Sequence, residues 1–214
     1  MARSYERESG TRQSSLIVVA VEGEKTEPKY FDALVQRIHN SRYRLLHKNK
    51  SGESCPLTVA TQLQTFKEDN SVTYEDDDGN EITVEDSYWA VVDTDGPHIE
   101  KLEAAAALCE ANKFSLAVSN PCFELWLLLH FVDVAELPAS EQENLKTSGK
   151  KYYVQKIDTA LGPNNSSILD IDYYLPLLSE AISRARKLDV QKDEPWPPDL
   201  GTRVYLLLEE LQKS

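Results

Sequence analysis

Leu16-Ile17-Val18-Val19-Ala20-Val21, closed by Glu22-Gly23-Glu24-Lys25-Thr26-Glu27, and Tyr88-Trp89-Ala90-Val91-Val92, closed by Asp93-Thr94-Asp95-Gly96, decide how this chain folds. A run of five or six apolar, largely β-branched residues cut off by a charge and a glycine describes a buried parallel strand arriving at the edge of its sheet. In open α/β sheets ligands bind in the crevice outside the carboxyl ends of the strands. Two strand ends that carry carboxylates are therefore expected to converge on one cation.

Outward from the first strand, Pro28 stands near a helix start and Tyr30, Phe31, Leu34, Val35 and Ile38 form a helical stripe. Tyr43 to His47 reads as a second strand, Lys48 to Ser54 as a polar loop, and Leu57, Ala60, Leu63 and Phe66 as the inner face of a helix opened by Pro56. Glu68 to Asp86 holds two short β-prone pieces around Asp76-Asp77-Asp78-Gly79-Asn80, which predicts a hairpin insertion with an Asp-Gly turn. A calcium loop starting at Asp76 fails, because Glu81 stands where the loop needs glycine and Ser87 where it needs a bidentate glutamate.

Asp93 ends the third strand; Ile99, Leu102, Ala106 and Cys109 make the next helix, and Phe114 to Val118 the fourth strand. Ser119-Asn120-Pro121 reads as a cap and a proline opening an apolar helix from Cys122 to Val132, with Glu124 in its first turn. Strand and helix alternate four times, which predicts an α/β three-layer sandwich around a four-stranded, mainly parallel sheet. Beyond Asp133 the segment Ala135 to Gly149 reads as loop, and Lys150 to Leu161, Ile171 to Leu188 and Gly201 to Leu211 as three helices. The expected organisation is a flexible arm over residues 1–13, an α/β domain over 14–133 with the hairpin at about 68–86, and a helical annex over 134–214.

The 214 residues are 41% hydrophobic and 28% charged, without an apolar run that would span a bilayer. The charged stretch Arg3 to Arg12 precedes too short an apolar segment for a signal peptide. Cys55, Cys109 and Cys122 lack paired spacing, which argues against a zinc site or disulfide framework and fits a cytoplasmic location. The formal charge of −13 opposes tight autonomous binding of nucleic acid. Basic residues gather locally at Arg37 to Lys50, Lys146 to Lys156 and Arg184 to Lys187, which leaves room for one local basic face, but weak intrinsic affinity or a partner that grips the substrate is the expected arrangement.

Asp93 and Asp95 are two residues apart, so in a continuing strand both carboxylates point to one face. Magnesium takes a few carboxylates plus waters and phosphate oxygens, and Glu22 supplies a third carboxylate from another strand end. Lys25 and Lys101 are the nearest lysines by sequence able to offset charge on a phosphorane-like state. His98, at a helix start after Asp95, is a candidate substrate contact, whereas His130 is expected to pack. Tyr30, Tyr152, Tyr153 and Tyr205 sit in apolar helical patterns and suit the core. Trp126 is expected to pack, and Trp196 either to pack or to meet a partner.

Glu22-Gly23 after one hydrophobic strand and Asp93-x-Asp95 after a later one resemble the Toprim domain of topoisomerases, primases and OLD-type nucleases. Four segments, Val21-Glu22-Gly23-Glu24-Lys25-Thr26-Glu27-Pro28-x-Tyr30-Phe31, Val91-Val92-Asp93-x-Asp95, Ser119 through Phe131, and Gly201-Thr202-x-Val204-Tyr205, resemble the RloB family over about Leu16 to Leu211. The resemblance implies a Toprim-like fold, Mg2+ or Mn2+ as cofactor, and hydrolysis of RNA such as tRNA, or of DNA. It also implies a role in prokaryotic anti-phage defence beside an ABC/AAA-type ATPase, with a homodimer as one permitted assembly. The implied metal ligands are Glu22, Asp93 and Asp95, with Glu27 or Glu24 joining a second ion and Glu124 as a further candidate.

Two rival readings remain open. Strand-Asp93-Thr94-Asp95-Gly96 also resembles the nucleophile motif of haloacid-dehalogenase-like phosphatases, which would put an aspartyl-phosphate on Asp93 and leave Glu22 without a role. Alternatively the chain is a regulatory subunit whose crevice holds metal structurally while the annex docks an ATPase.

Overall fold

The computed structural model describes residues 15–47, 55–71, 73–75, 81–94, 99–163 and 167–213; the arm over residues 1–13, the Lys48 to Ser54 loop, the Asp-Gly turn, Asp95 and His98 lie outside them. In chain order the elements are β1 (Ile17–Val21), α1 (Thr26–Ile38), β2 (Tyr43–Leu46), α2 (Pro56–Asn70), the strands β3 (Thr73–Glu75) and β4 (Glu81–Thr83), and β5 (Ser87–Asp93). There follow α3 (Ile99–Asn112), β6 (Ser115–Asn120), α4 (Glu124–Leu129), α5 (Ala139–Thr147), α6 (Lys150–Leu161), α7 (Ile171–Tyr174), α8 (Leu178–Leu188), β7 (Gly201–Thr202) and α9 (Val204–Gln212). Among the described residues no helix is long and apolar enough to cross a membrane.

Five strands form the main sheet in the order β2-β1-β5-β6-β7, parallel except for β7, while β3 and β4 pair antiparallel as a separate hairpin. β1 lies between β2 and β5 and is buried on both faces, which is why its sequence is an unbroken apolar run rather than an alternation. Its side chains still divide with period two. Ile17, Val19 and Val21 join Trp89 and Val91 in one apolar cluster, and Val18 and Ala20 join Tyr88, Ala90 and Val92 in another. Burying each large apolar side chain there contributes about 1.5–3 kcal/mol.

Helices cover both faces. α1, α4, α6, α8 and α9 place Tyr30, Phe31, Trp126, Tyr153, Ile182 and Leu208 in the first cluster, whereas α2 and α3 place Leu63 and Leu102 in the second. The chain therefore leaves adjacent strands β1 and β5 toward opposite faces, into α1 and α3 respectively. That divergence opens a crevice at their carboxyl ends, the topological switch point where ligands of open α/β sheets bind.

Three sequence expectations are corrected. The main sheet has five strands rather than four, because Gly201–Thr202, expected as helix, pairs antiparallel with Ser119 and Asn120. The helix expected over Cys122 to Val132 is confined to Glu124–Leu129, and Ser119 and Asn120 belong to β6 instead of capping it. Their side chains are engaged elsewhere: Ser119 Oγ with Thr202 Oγ1 at 2.9 Å, and the Asn120 amide with Thr94 and Pro197. The segment Ala135 to Gly149, expected as loop, contains α5, held to the core through the single buried apolar residue Leu145.

Below the crevice, α4 is a six-residue apolar helix whose every residue is buried. Arg184 from α8 donates to the carbonyls of Leu129 and His130, at 2.7 Å each, and so satisfies orphan acceptors at its carboxyl end. His130 is a packed residue, as its position predicts. Its Nδ1 lies 3.0 Å from the Trp126 carbonyl, which can only accept, so Nδ1 carries the proton and Nε2 accepts from the Tyr30 hydroxyl at 3.3 Å. Burial lowers its pKa to about 4.

Candidate functional site

Glu22 follows the last residue of β1 and is half-buried. Its backbone N–H continues the parallel ladder to the Val91 carbonyl at 3.0 Å, which holds the residue beside β5. Its carboxylate Oε2 then accepts the backbone N–H of Asp93 at 3.2 Å, so two residues 71 positions apart meet at one rim. Asp93, the last residue of β5, shares the parity of Val91 and therefore faces the α1, α4 and α6 side of the sheet. Only 6% of Asp93 is exposed.

Three further side chains arrive on that same side. Glu27, in the first turn of α1, is 5% exposed and Glu124, the first residue of α4, is 6% exposed. Lys150, the first residue of α6, donates to Asp93 Oδ2 at 2.8 Å. Desolvation raises the Glu27 carboxyl above its usual pKa; a backbone hydrogen bond and the charge of Lys150 oppose it, and the charges of Glu124 and Glu22 add to it. The Cys122 thiol is likewise pushed up by burial first and then by Glu124 and Asp93, against a smaller opposing pull from Lys150. These couplings place Glu22, Glu27, Glu124 and Lys150 in one electrostatic neighbourhood, which Asp93 and Cys122 join through Lys150 and Glu124.

Gly23 explains how Glu27 fits. A Cβ on Gly23 would come within 1.9 Å of the Glu27 carboxylate, so the carboxylate lies directly over the glycine backbone. The acidic turn is thus a folded-back unit in which the glycine makes room for the second glutamate.

Among the remaining candidates, Glu24 and Lys25 are exposed, Lys25 occupying the N-cap position of α1. Lys101 is half-buried in α3, on the opposite face of the sheet from Lys150. Asp95 and His98 lie outside the described residues. The lysine that reaches Asp93 is Lys150, which sequence reasoning did not single out. The available signal was its place in the basic stretch Lys146 to Lys156 at a helix start after Gly149; the 57-residue separation from Asp93 hid the contact. Tyr30, Tyr153 and Tyr205 are buried and Tyr152 is half-buried with its hydroxyl on Glu141 Oε1, as their apolar helical patterns predict.

The donor set suits a hard divalent cation, being carboxylate oxygens only. One observation bears on fit directly: Glu124 Oε2 is buried without a hydrogen-bond partner. A buried carboxylate oxygen left so is costly unless a proton or a cation meets it. Among the described residues no three His, Cys, Asp or Glu side chains are grouped closely enough to hold an ion by themselves. Lys150 neutralises part of this charge through its contact with Asp93.

Neither the curated proteins nor the solved structures provide a match to this chain. The family model described as RloB-like protein, in contrast, matches residues 17–211, a span that contains every element of both sheets and all the site residues named above. The chain therefore belongs to the RloB-like family.

Proposed function

We propose that this RloB-like protein is a Mg2+- or Mn2+-dependent nuclease that hydrolyses phosphodiesters of RNA, tRNA among them, or of DNA. In this reading the α/β unit is Toprim-like and the protein acts in the cytoplasm as an anti-phage effector beside an ABC/AAA-type ATPase. The observation that carries the reading is the convergence of Glu22, Glu27, Asp93 and Glu124 at a topological switch point, with one buried carboxylate oxygen unpartnered.

Glu22, Asp93, Glu124 and Glu27 are the residues that would hold the metal, with Asp95, two positions after Asp93 in the sequence, as a further candidate. A bound divalent ion supplies water activation and stabilises the charge of the leaving oxygen. Lys150 sets a positive charge beside Asp93, where it offsets charge building on the attacked phosphate. The −13 net charge makes the free chain a poor collector of polyanions, which suits an effector whose substrate is delivered by a partner. A regulatory subunit that holds a metal structurally would bury the same acids, so metal-dependent cleavage by the purified chain is what separates the two readings.

The test is cleavage of end-labelled RNA and DNA by the purified chain with Mn2+, alone and with the ATPase encoded beside it. Glu22→Gln and Asp93→Asn should abolish cleavage while retaining the fold. Equal cleavage by those variants would refute the assignment.

A further inference from the structure

Thr94, directly after Asp93, is tied down more heavily than a turn residue requires. Its backbone N–H is shared between the carbonyls of Ser119 at 3.0 Å and Pro121 at 3.2 Å. Its hydroxyl lies 3.0 Å from Asn120 Oδ1. The other end of the Asn120 amide lies 3.0 Å from the Pro197 carbonyl. That carbonyl can only accept, so Nδ2 faces Pro197, Oδ1 faces Thr94, and the threonine hydroxyl is the donor.

Pro197 belongs to a segment that runs from α8 to β7 around the end of β6. Trp196 packs against the apolar cluster on the α2 and α3 face, while α8 lies on the other face, so the segment straps the sheet edge. The strap is anchored from inside. Arg203 donates to the carbonyls of Glu194 at 2.7 Å and Gln191 at 3.0 Å, and its Nε pairs with buried Asp189 at 3.1 Å. At Gly201 a Cβ would meet the Pro197 side chain at 3.0 Å, so the return into β7 passes close against the proline.

We infer that Asn120 and Thr94 are positioning residues for the acidic crevice: the strap over 189–200 fixes the Asn120 amide, which fixes Thr94 and with it the carboxylate of Asp93. The inference rests on the metal-dependent reading above and assigns neither residue a contact with substrate. Outer-shell hydrogen bonds of this kind orient the groups that hold a metal, and their loss typically lowers metal affinity 10–100-fold.

The test is the Mn2+ dissociation constant of the full chain, read from the electron paramagnetic resonance of free ion. Thr94→Val keeps the shape and removes the donor, Asn120→Ala removes the bridge, and Thr94→Ser retains the hydroxyl. Thr94→Val and Asn120→Ala should each weaken Mn2+ binding about ten-fold with unchanged circular dichroism, and Thr94→Ser should bind within about two-fold of the parent. Parental affinity in Thr94→Val, or a Thr94→Ser variant as weak as Thr94→Val, would overturn the inference and leave the metal reading intact. Failure of Asn120→Ala to fold would leave the Thr94 pair to decide it. A parent chain that binds no Mn2+ would overturn both.

Discussion

Two regions of this molecule bury carboxylates, and they do so in opposite ways. Asp189 is 3% exposed and fully answered: Arg203 Nε lies at 3.1 Å from Oδ1, and the Tyr205 hydroxyl donates to Oδ2 at 2.9 Å. The other guanidinium nitrogens take the carbonyls of Glu194 and Gln191, so the cluster closes on itself. In the crevice Asp93, Glu27 and Glu124 are nearly as deeply buried, yet Asp93 pairs with Lys150, a lysine whose side chain is itself 46% exposed, and Glu27 feels that same lysine only through its charge. Glu124 Oε2 has no hydrogen-bond partner, and desolvation holds the Glu27 carboxyl above its usual pKa. Burial of charge is costly in both places. The first region balances that cost within the chain and stabilises a loop; the second balances it only in part, leaving Glu124 Oε2 unpartnered, and this supports the proposed metal-binding role.

Four experiments break or sharpen the contrast. The largest effect belongs to the crevice: Asp93→Asn should lower metal-dependent cleavage by at least about 10³-fold, or ~4 kcal/mol of transition-state stabilisation, in single-turnover assays. Its melting temperature should stay near that of the parent, because the crevice holds surplus acid. The closed cluster should behave in reverse. Arg203→Leu leaves Asp189 buried and unpaired and should cost about 3–5 kcal/mol in urea unfolding, with Asp189→Asn in addition recovering part of it.

A third experiment sets a buried neutral group beside both regions. The unfolded chain takes up a proton on His130 near pH 6.5, whereas in the folded chain burial delays protonation to about pH 4. Stability from this residue is therefore complete above pH 6.5 and lost as the pH falls toward 4, by about 3 kcal/mol in total. Urea titrations across that window should show the slope in the parent and a shallower one in His130→Gln. The smallest effect is Gly23→Ala, whose new methyl must displace the Glu27 carboxylate, the mobile end of a side chain. Stability should change little, while Mn2+ affinity falls about ten-fold, as measured by titration.

Much of this was legible in the sequence where local pattern and tertiary role coincide. The apolar runs of β1 and β5 mark interior parallel strands, and the charges that end them, Glu22 and Asp93, mark the crevice. The stripe Tyr30, Phe31, Leu34 and Val35 marks α1. Other features depend on contacts that no window of sequence contains. β7 is two residues long and exists because Thr202 and Gly201 meet β6 more than 80 positions away. Ser119 and Asn120 have the chemistry of a helix cap, and only the distant Thr202 and Pro197 claim them for cross-links instead. α5 was hidden because it buries a single apolar residue, Leu145, and so lacks a stripe. Lys150 shows the same limit at the site: a lysine in a helical first turn ordinarily faces water, and only the sheet brings Asp93 beneath it.

Thermal unfolding with and without Mn2+ decides whether these carboxylates hold a divalent ion. At a free concentration about 100 times its dissociation constant, an ion bound only by the folded state adds ~2.7 kcal/mol, which for a chain of this length raises the melting temperature by about 5–10 °C. That rise is expected in the parent, with reversal by EDTA, and is expected to be absent in Glu22→Gln and Asp93→Asn. An unmoved parent, or the same rise in those two variants, would contradict the metal-binding reading.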